Sequence, residues 1–122
     1  MTPDVNALAR YAVSCKGWKW LPGMAFFDEH GAQWRVQSET HATLVHDDRV
    51  PDLTDPATLG CLTALVRQAW GDSRLVVIYC EPAHPGQSEG WAVQTADNRL
   101  PVAGENYESE AEALVCALEA AP

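Results

Sequence analysis

Two stretches of the chain hold reactive or metal-binding side chains close together. Cys80 and His84 lie four residues apart in Cys80-Glu81-Pro82-Ala83-His84-Pro85-Gly86. A cysteine becomes a nucleophile when an adjacent base lowers its pKa and solvent can reach it. A small enzyme or ligand-binding domain would therefore place its pocket beside loop 81–90, with Cys80 or His84 at the mouth. The second stretch is His41 and His46, five apart and followed by Asp47-Asp48. That spacing matches no recognised zinc motif, and Cys80 with His84 would need two further ligands from elsewhere. No metal and no cofactor is expected. The chain has no GxSxG elbow, and neither a P-loop nor a GxGxxG run opens a helix. Its seventeen acids guarantee chance pairs, so no acid–base couple is nominated. No catalytic residue is assigned.

Charge directs attention to partners instead. The net charge is −9, and it is uneven. Residues 1–37 carry four basic and three acidic side chains, and residues 38–122 carry four basic and fourteen acidic. Direct nucleic-acid binding is disfavoured, because that affinity comes from Lys and Arg displacing counterions. An acidic surface fits a basic protein, including one that itself binds nucleic acid. Glu105, Glu108 and Glu112 are the acids expected to contribute, although Glu108, Glu112 and Glu119 also suit the dipole of a C-terminal helix. Trp18 and Trp20, one residue apart, point the same way if the segment is extended. They serve either as a lid on the core or as a contact surface, since Trp is enriched at binding hot spots.

The elements that must position these residues follow from periodicity. Thr54 or Asp55 caps a helix that has Pro56 at its first position and Gly71 as its stop. Leu59, Leu62, Leu65, Val66, Ala69 and Trp70 recur at three- and four-residue steps. Gly60 within it implies a closely packed neighbour or a ligand near the backbone. An earlier helix opens at Thr2-Pro3-Asp4 and runs to about Cys15, with Gly17 as its stop. A last helix starts at Ser109, where Ser109 and Glu112 fit a capping box, and buries Ala111, Leu114, Val115 and Leu118.

Strand signals fill the gaps. Residues 25–27 and 32–37 flank Asp28-Glu29-His30-Gly31 as a hairpin, with Trp34 and Val36 on one side. Residues 42–46 read as a third strand. Leu75-Val76-Val77-Ile78-Tyr79 is a continuous apolar run, expected to be a central strand covered on both faces. Residues 91–95 return, and Leu100-Pro101-Val102 suits only an edge. The expected fold is α+β: a mainly antiparallel sheet of about five to six strands with three helices, in the order α-β-β-β-α-β-β-(β)-α. The length of 122 residues predicts a single domain, 1–122. No apolar run approaches the ~18 residues of a membrane span. The opening MTPDVNALAR lacks the features of an export signal, so a cytoplasmic location with four reduced thiols is expected.

Four blocks carry a family likeness: Trp20-Leu21-Pro22-Gly23-Met24, residues 51–62 (PDLTDPATLGCL), Ala69-Trp70-Gly71 and residues 109–115 (SEAEALV). In them the chain resembles small uncharacterised proteins of bacteriophage and prophage genomes. That resemblance implies a cytoplasmic accessory protein in a bacterial host, and supplies no activity. The functional expectation is a non-enzymatic protein that binds a host or phage protein. One form of it is an acidic nucleic-acid mimic that inhibits a host defence complex. The alternative is the small enzyme or ligand-binding domain with its site at Cys80 and His84. Homo-oligomerisation is a third possibility, because five Trp exceed what one small core needs.

Overall fold

The Asp55 carboxylate accepts from the Thr58 N–H at 2.9 Å, and Pro56 follows where no donor is needed. Gly71 ends the same helix in the left-handed region at φ 63°, its N–H meeting Gln68 O while the Asp72 N–H meets Arg67 O. These signals bound α3, Pro56–Trp70, which buries Thr58, Leu62, Leu65 and Val66. The computed structural model describes residues 5–46, 48–81, 89–95 and 107–121. Around α3 these residues form α1 (Val5–Ser14), β1 (Ala25–Phe27), β2 (Gln33–Arg35), α2 (Glu39–Thr43), β3 (Val50–Pro51), β4 (Val76–Cys80), β5 (Gly90–Gln94) and α4 (Glu110–Ala120).

The class is α+β, as expected, but the elements are divided differently. Among the described residues there are four helices and two antiparallel sheets, one in the order β2-β1-β3 and one of β4-β5. The hairpin at 25–35 forms in the expected place, with Ala25 opposite Arg35, Phe26 opposite Trp34, and Gly31 at φ 80° in the turn. The third strand is not 42–46. Ser38 accepts from the His41 N–H at 3.0 Å, and His41 Nδ1 accepts from the Gln37 N–H at 3.1 Å. This reciprocal cap turns the segment into α2, and Val50–Pro51 pairs with β1 instead. Pro51 is tolerated there because β3 is an edge.

The apolar run at 75–79 is also corrected. Leu75 is fully buried, but β4 pairs only with β5 among the described residues, and Val76 and Tyr79 are exposed. Among the described residues too few strands surround it to cover both edges. The segment 100–102 lies outside the described residues.

One cluster of buried apolar side chains joins both sheets. It includes Met24, Phe26 and Val36 from the first sheet's neighbourhood, Leu62 and Val66 from α3, Val93 from β5, and Leu114, Val115 and Leu118 from α4. α4 packs on β4, β5, α3 and α1, and α1 packs on β3. Trp70 Nε1 donates to Ala117 O at 2.8 Å across the α3–α4 contact. Gly17 is not the left-handed stop of α1; a Cβ there would lie 2.9 Å from Leu118 Cδ1, so it permits close packing. Gly60 has no close neighbour: it is exposed, and a Cβ added to it would find nothing within 4 Å. No described helix is long and apolar enough to cross a membrane.

Candidate partner-binding surface

After α1 the chain turns past Gly17 into residues 18–23, which lead to β1. The expectation for Trp18 and Trp20 holds in its geometric part: their rings lie on one side, edge to face, with centroids 5.4 Å apart. The stack continues from Trp20 to Phe26 at 5.6 Å and from Phe26 to His41 at 6.1 Å. Both Trp side chains are half-buried and pack against the core, so they have a structural duty. They also line a groove of about 500 Å³ with Val13, Leu21, Glu39 and Ala42. The Trp18 indole N–H is buried with no hydrogen-bond partner among the described residues. A buried donor without an acceptor costs about 1–3 kcal/mol.

On the other side of α2 lies a second cavity, of about 290 Å³, lined by Phe26, Trp34, His41, Leu44, His46 and Arg49 among others. Trp34 shares the face of Phe26 and Val36, as the alternation implied, but it is 55% exposed while Val36 is 1% exposed. Directly across the strand Phe26 is buried under Trp20 and His41, and that cover stops short of the β2 edge. Leu44, read as part of a strand, caps α2 and is 71% exposed. Trp34 is nevertheless held, since its Nε1 donates to Asp28 Oδ2 at 2.8 Å. That bond, with backbone donors Ala32 and His30, keeps the Asp28 carboxyl below its usual range. An indole fixed before contact loses little rotamer freedom on binding.

The acids are arranged less favourably. Glu105 lies outside the described residues. Glu108 is exposed. Glu112 is half-buried, and Ser109 Oγ accepts from its N–H at 3.1 Å, the first half of the expected capping box. The return bond to the Ser109 N–H is absent among the described residues, and Glu112 Oε2 has no partner. Burial, and then the charge of Glu108, pushes the Glu112 carboxyl up. The tryptophans and these acids do not start from one place either. Gly17 touches Leu118, whereas Glu112 is six residues earlier on α4, about 9 Å along the axis.

Cys80 is half-buried at the end of β4, opposite Gly90, and His84 lies outside the described residues. Burial pushes the Cys15, Cys61 and Cys116 thiols up, which favours the un-ionised and less reactive form. Cys15 borders a cavity of about 490 Å³ with Tyr11 and Glu119. The Tyr11 hydroxyl is hydrogen-bonded to Glu119, and its pKa is pushed up to about 12 by that bond and then by burial. His41 and His46 come together at the Trp34 cavity, with His41 Nδ1 already engaged by Gln37. Among the described residues no group of three or more His, Cys, Asp or Glu side chains could hold a metal ion.

The surface thus combines two expected residues, Trp18 and Trp20, with two that the sequence did not nominate, Trp34 and Leu44. The clue to Leu44 was Ser38 three residues before His41, a cap signal with His in the place of Glu or Gln. Nothing in the alternation around Trp34 signalled that its cover would run out. Comparison with protein-family models, curated proteins and solved structures finds no match to this chain.

Proposed function

We propose that this chain is a non-enzymatic binding protein, a phage-borne accessory factor that engages a host or phage protein through the aromatic surface flanking α2. The observation that carries the reading is the pair Trp34 and Leu44, 55% and 71% exposed at the mouth of a cavity floored by Phe26 and His41. Large apolar side chains exposed together around a concave site mark interaction surfaces. A fixed Trp beside a preformed cavity has the makings of a hot spot. The groove across α2 extends this surface to Trp18 and Trp20. The partner is a protein that offers apolar side chains to both hollows.

The acidic-mimic form of the hypothesis draws on the fourteen acids of residues 38–122 and on exposed Glu108. Glu112 weakens it, because a half-buried carboxyl with a raised pKa is a poor stand-in for a solvated phosphate. Quantitative capture from bacterial lysate separates the two. Trp34→Ala combined with Leu44→Ser should reduce recovery of the captured protein at least tenfold, while Glu108→Lys with Glu112→Lys leaves it within twofold. Recovery should change little between low and moderate salt. The reverse pattern, with loss on charge reversal and on added salt, would replace this reading with the acidic inhibitor.

A further inference from the structure

Among the described residues β4 carries an unprotected edge. The Trp91 N–H donates to Tyr107 O at 2.7 Å, and the Tyr107 N–H donates to Trp91 O at 2.8 Å. Trp91 therefore turns its backbone groups away from β4. Its antiparallel partner Tyr79 belongs to a non-hydrogen-bonded pair and turns its own N–H and C=O away from β5. Val77, two residues earlier, does the same. Four backbone groups thus face outward along β4, and among the described residues no strand takes them. Sheet edges are usually blunted by Lys, Pro or a bulge. Val76-Val77-Ile78-Tyr79-Cys80 has no charge and no Pro, and pairs with β5 in unbroken register. Val76 and Tyr79 are 39% and 48% exposed.

We infer that β4 pairs antiparallel with β4 of a second copy about a two-fold axis through Ile78, making one four-stranded sheet across the dimer. In this register Val77 faces Tyr79 of the other copy, and Tyr79 faces Val77. Each facing pair exchanges two hydrogen bonds, so all the outward groups of both strands are matched. Shifting the axis by one residue, to Val77 or Tyr79, pairs that residue with itself and leaves outward groups seeking partners beyond the strand. Charge agrees with the direction. Exposed Arg74 precedes the strand and exposed Glu81 follows it, so antiparallel pairing sets the basic end of one copy beside the acidic end of the other. Parallel pairing would set like beside like. The uncharged strand also gives two copies of a −9 chain a place to meet without opposing their acids.

Sedimentation of the full chain over a wide concentration range tests this. The mass should rise from 13.3 kDa to twice that value. Tyr79→Pro deletes one outward N–H per copy and none toward β5, so it should raise the dimer dissociation constant at least tenfold. Ile78→Cys gives an independent readout that needs a folded protein. Directly opposed residues of a non-hydrogen-bonded pair have Cα atoms about 4.5 Å apart, within reach of a disulfide. Mild oxidation should therefore cross-link this variant into dimers. The wild type should not cross-link, because Cys80 faces Val76 of the other copy in this register. A chain that stays monomeric at every concentration overturns the inference. So does a dimer that keeps its affinity in Tyr79→Pro, or one that fails to cross-link in Ile78→Cys.

Discussion

The sheet around β1 is tied to the rest of the chain by a network of polar side chains, whereas β4–β5 has one such tie at its start, from Arg67 Nε to Leu75 O at 2.7 Å, and otherwise rests on the close approach of backbone and small residues. In the first region Thr58 Oγ1 accepts from the Ala25 N–H at 2.8 Å and donates to Asp55 Oδ2 at 2.9 Å. Arg35 grips Asp55 with two bonds of 3.0 Å, and Gln33 donates to Asp52 at 2.7 Å. Asp52 in turn accepts from the Thr54 N–H and hydroxyl. In the second region Gly90 lies against the backbone of Tyr107, and α4 presents Ala111, Ala113 and Ala117 fully or almost fully buried. The contrast has a functional side. Polar ties on one face of the β1 sheet, where Arg35 and Gln33 point, free the Trp34 face from holding the sheet in place. Beyond the Arg67 bond to Leu75, the outer edge of β4 carries no such anchor among the described residues, and its outward backbone groups are what it has to offer.

The sharpest way to break this contrast is at Gly90. Its φ is +143°, and an added Cβ would stand 2.5 Å from Tyr107 O, a backbone atom that cannot swing aside. Gly90→Val should cost roughly 2–4 kcal/mol, the sum of backbone strain and overpacking. Urea unfolding followed by circular dichroism measures it. A loss below about 0.5 kcal/mol would mean that the Tyr107 approach does not hold this sheet.

The polar region answers at Asp55, with a signature that depends on pH. The bonds from Arg35, and then those from Thr58, hold the Asp55 carboxyl well below the usual carboxylate range. A folded pKa below the unfolded value of about 3.9 adds stability that is complete above that pH and is lost as pH falls toward the folded pKa. Asp55→Ala should therefore cost about 1 kcal/mol at pH 7, the usual worth of a helix N-cap. The gap to wild type should shrink steadily below about pH 4. The Gly90→Val deficit has no titrating group behind it and should stay level over the same range. If both gaps moved together with pH, the two sheets would not be held by different means.

How much of this could be read in the sequence depends on how local the signal is. The Asp55 cap, Pro56 and Gly71 are written within a few residues of the turns they govern, and so is Ser109 at the start of α4. The hairpin at Asp28–Gly31 is equally local. α2 was legible in principle through Ser38 and His41, but five residues give no helical period to set against the alternation of 42–46. The position of β4 was not legible. An apolar β-branched run states that it is strand, and only the number of neighbouring strands decides whether it is central or an edge. Trp34 failed for the same reason, since its exposure depends on how far α2 and Trp20 extend over the β1 sheet. Half of the candidate surface, Trp18 and Trp20, was nominated from composition, and the exposed half depended on tertiary cover.

The smallest expected effect lies on α3, which supplies Thr58 and Asp55 to one sheet and packs on α4 beside the other. Gly60 sits on its exposed side with open space where a Cβ would go. The sequence alone gave this glycine a reason to exist, either a close neighbour or a ligand at the backbone. The described structure removes the first reason. A glycine in a helix interior gives up backbone entropy that alanine does not, so Gly60→Ala should stabilise the isolated protein by about 0.5–1 kcal/mol. Thermal unfolding should show it as a rise in Tm of several degrees. The sign is what matters. A gain shows that packing within the chain does not need this glycine and places Gly60 outside both means of holding the sheets. A loss would require atoms of the chain within contact distance of that position and would overturn the open space described there.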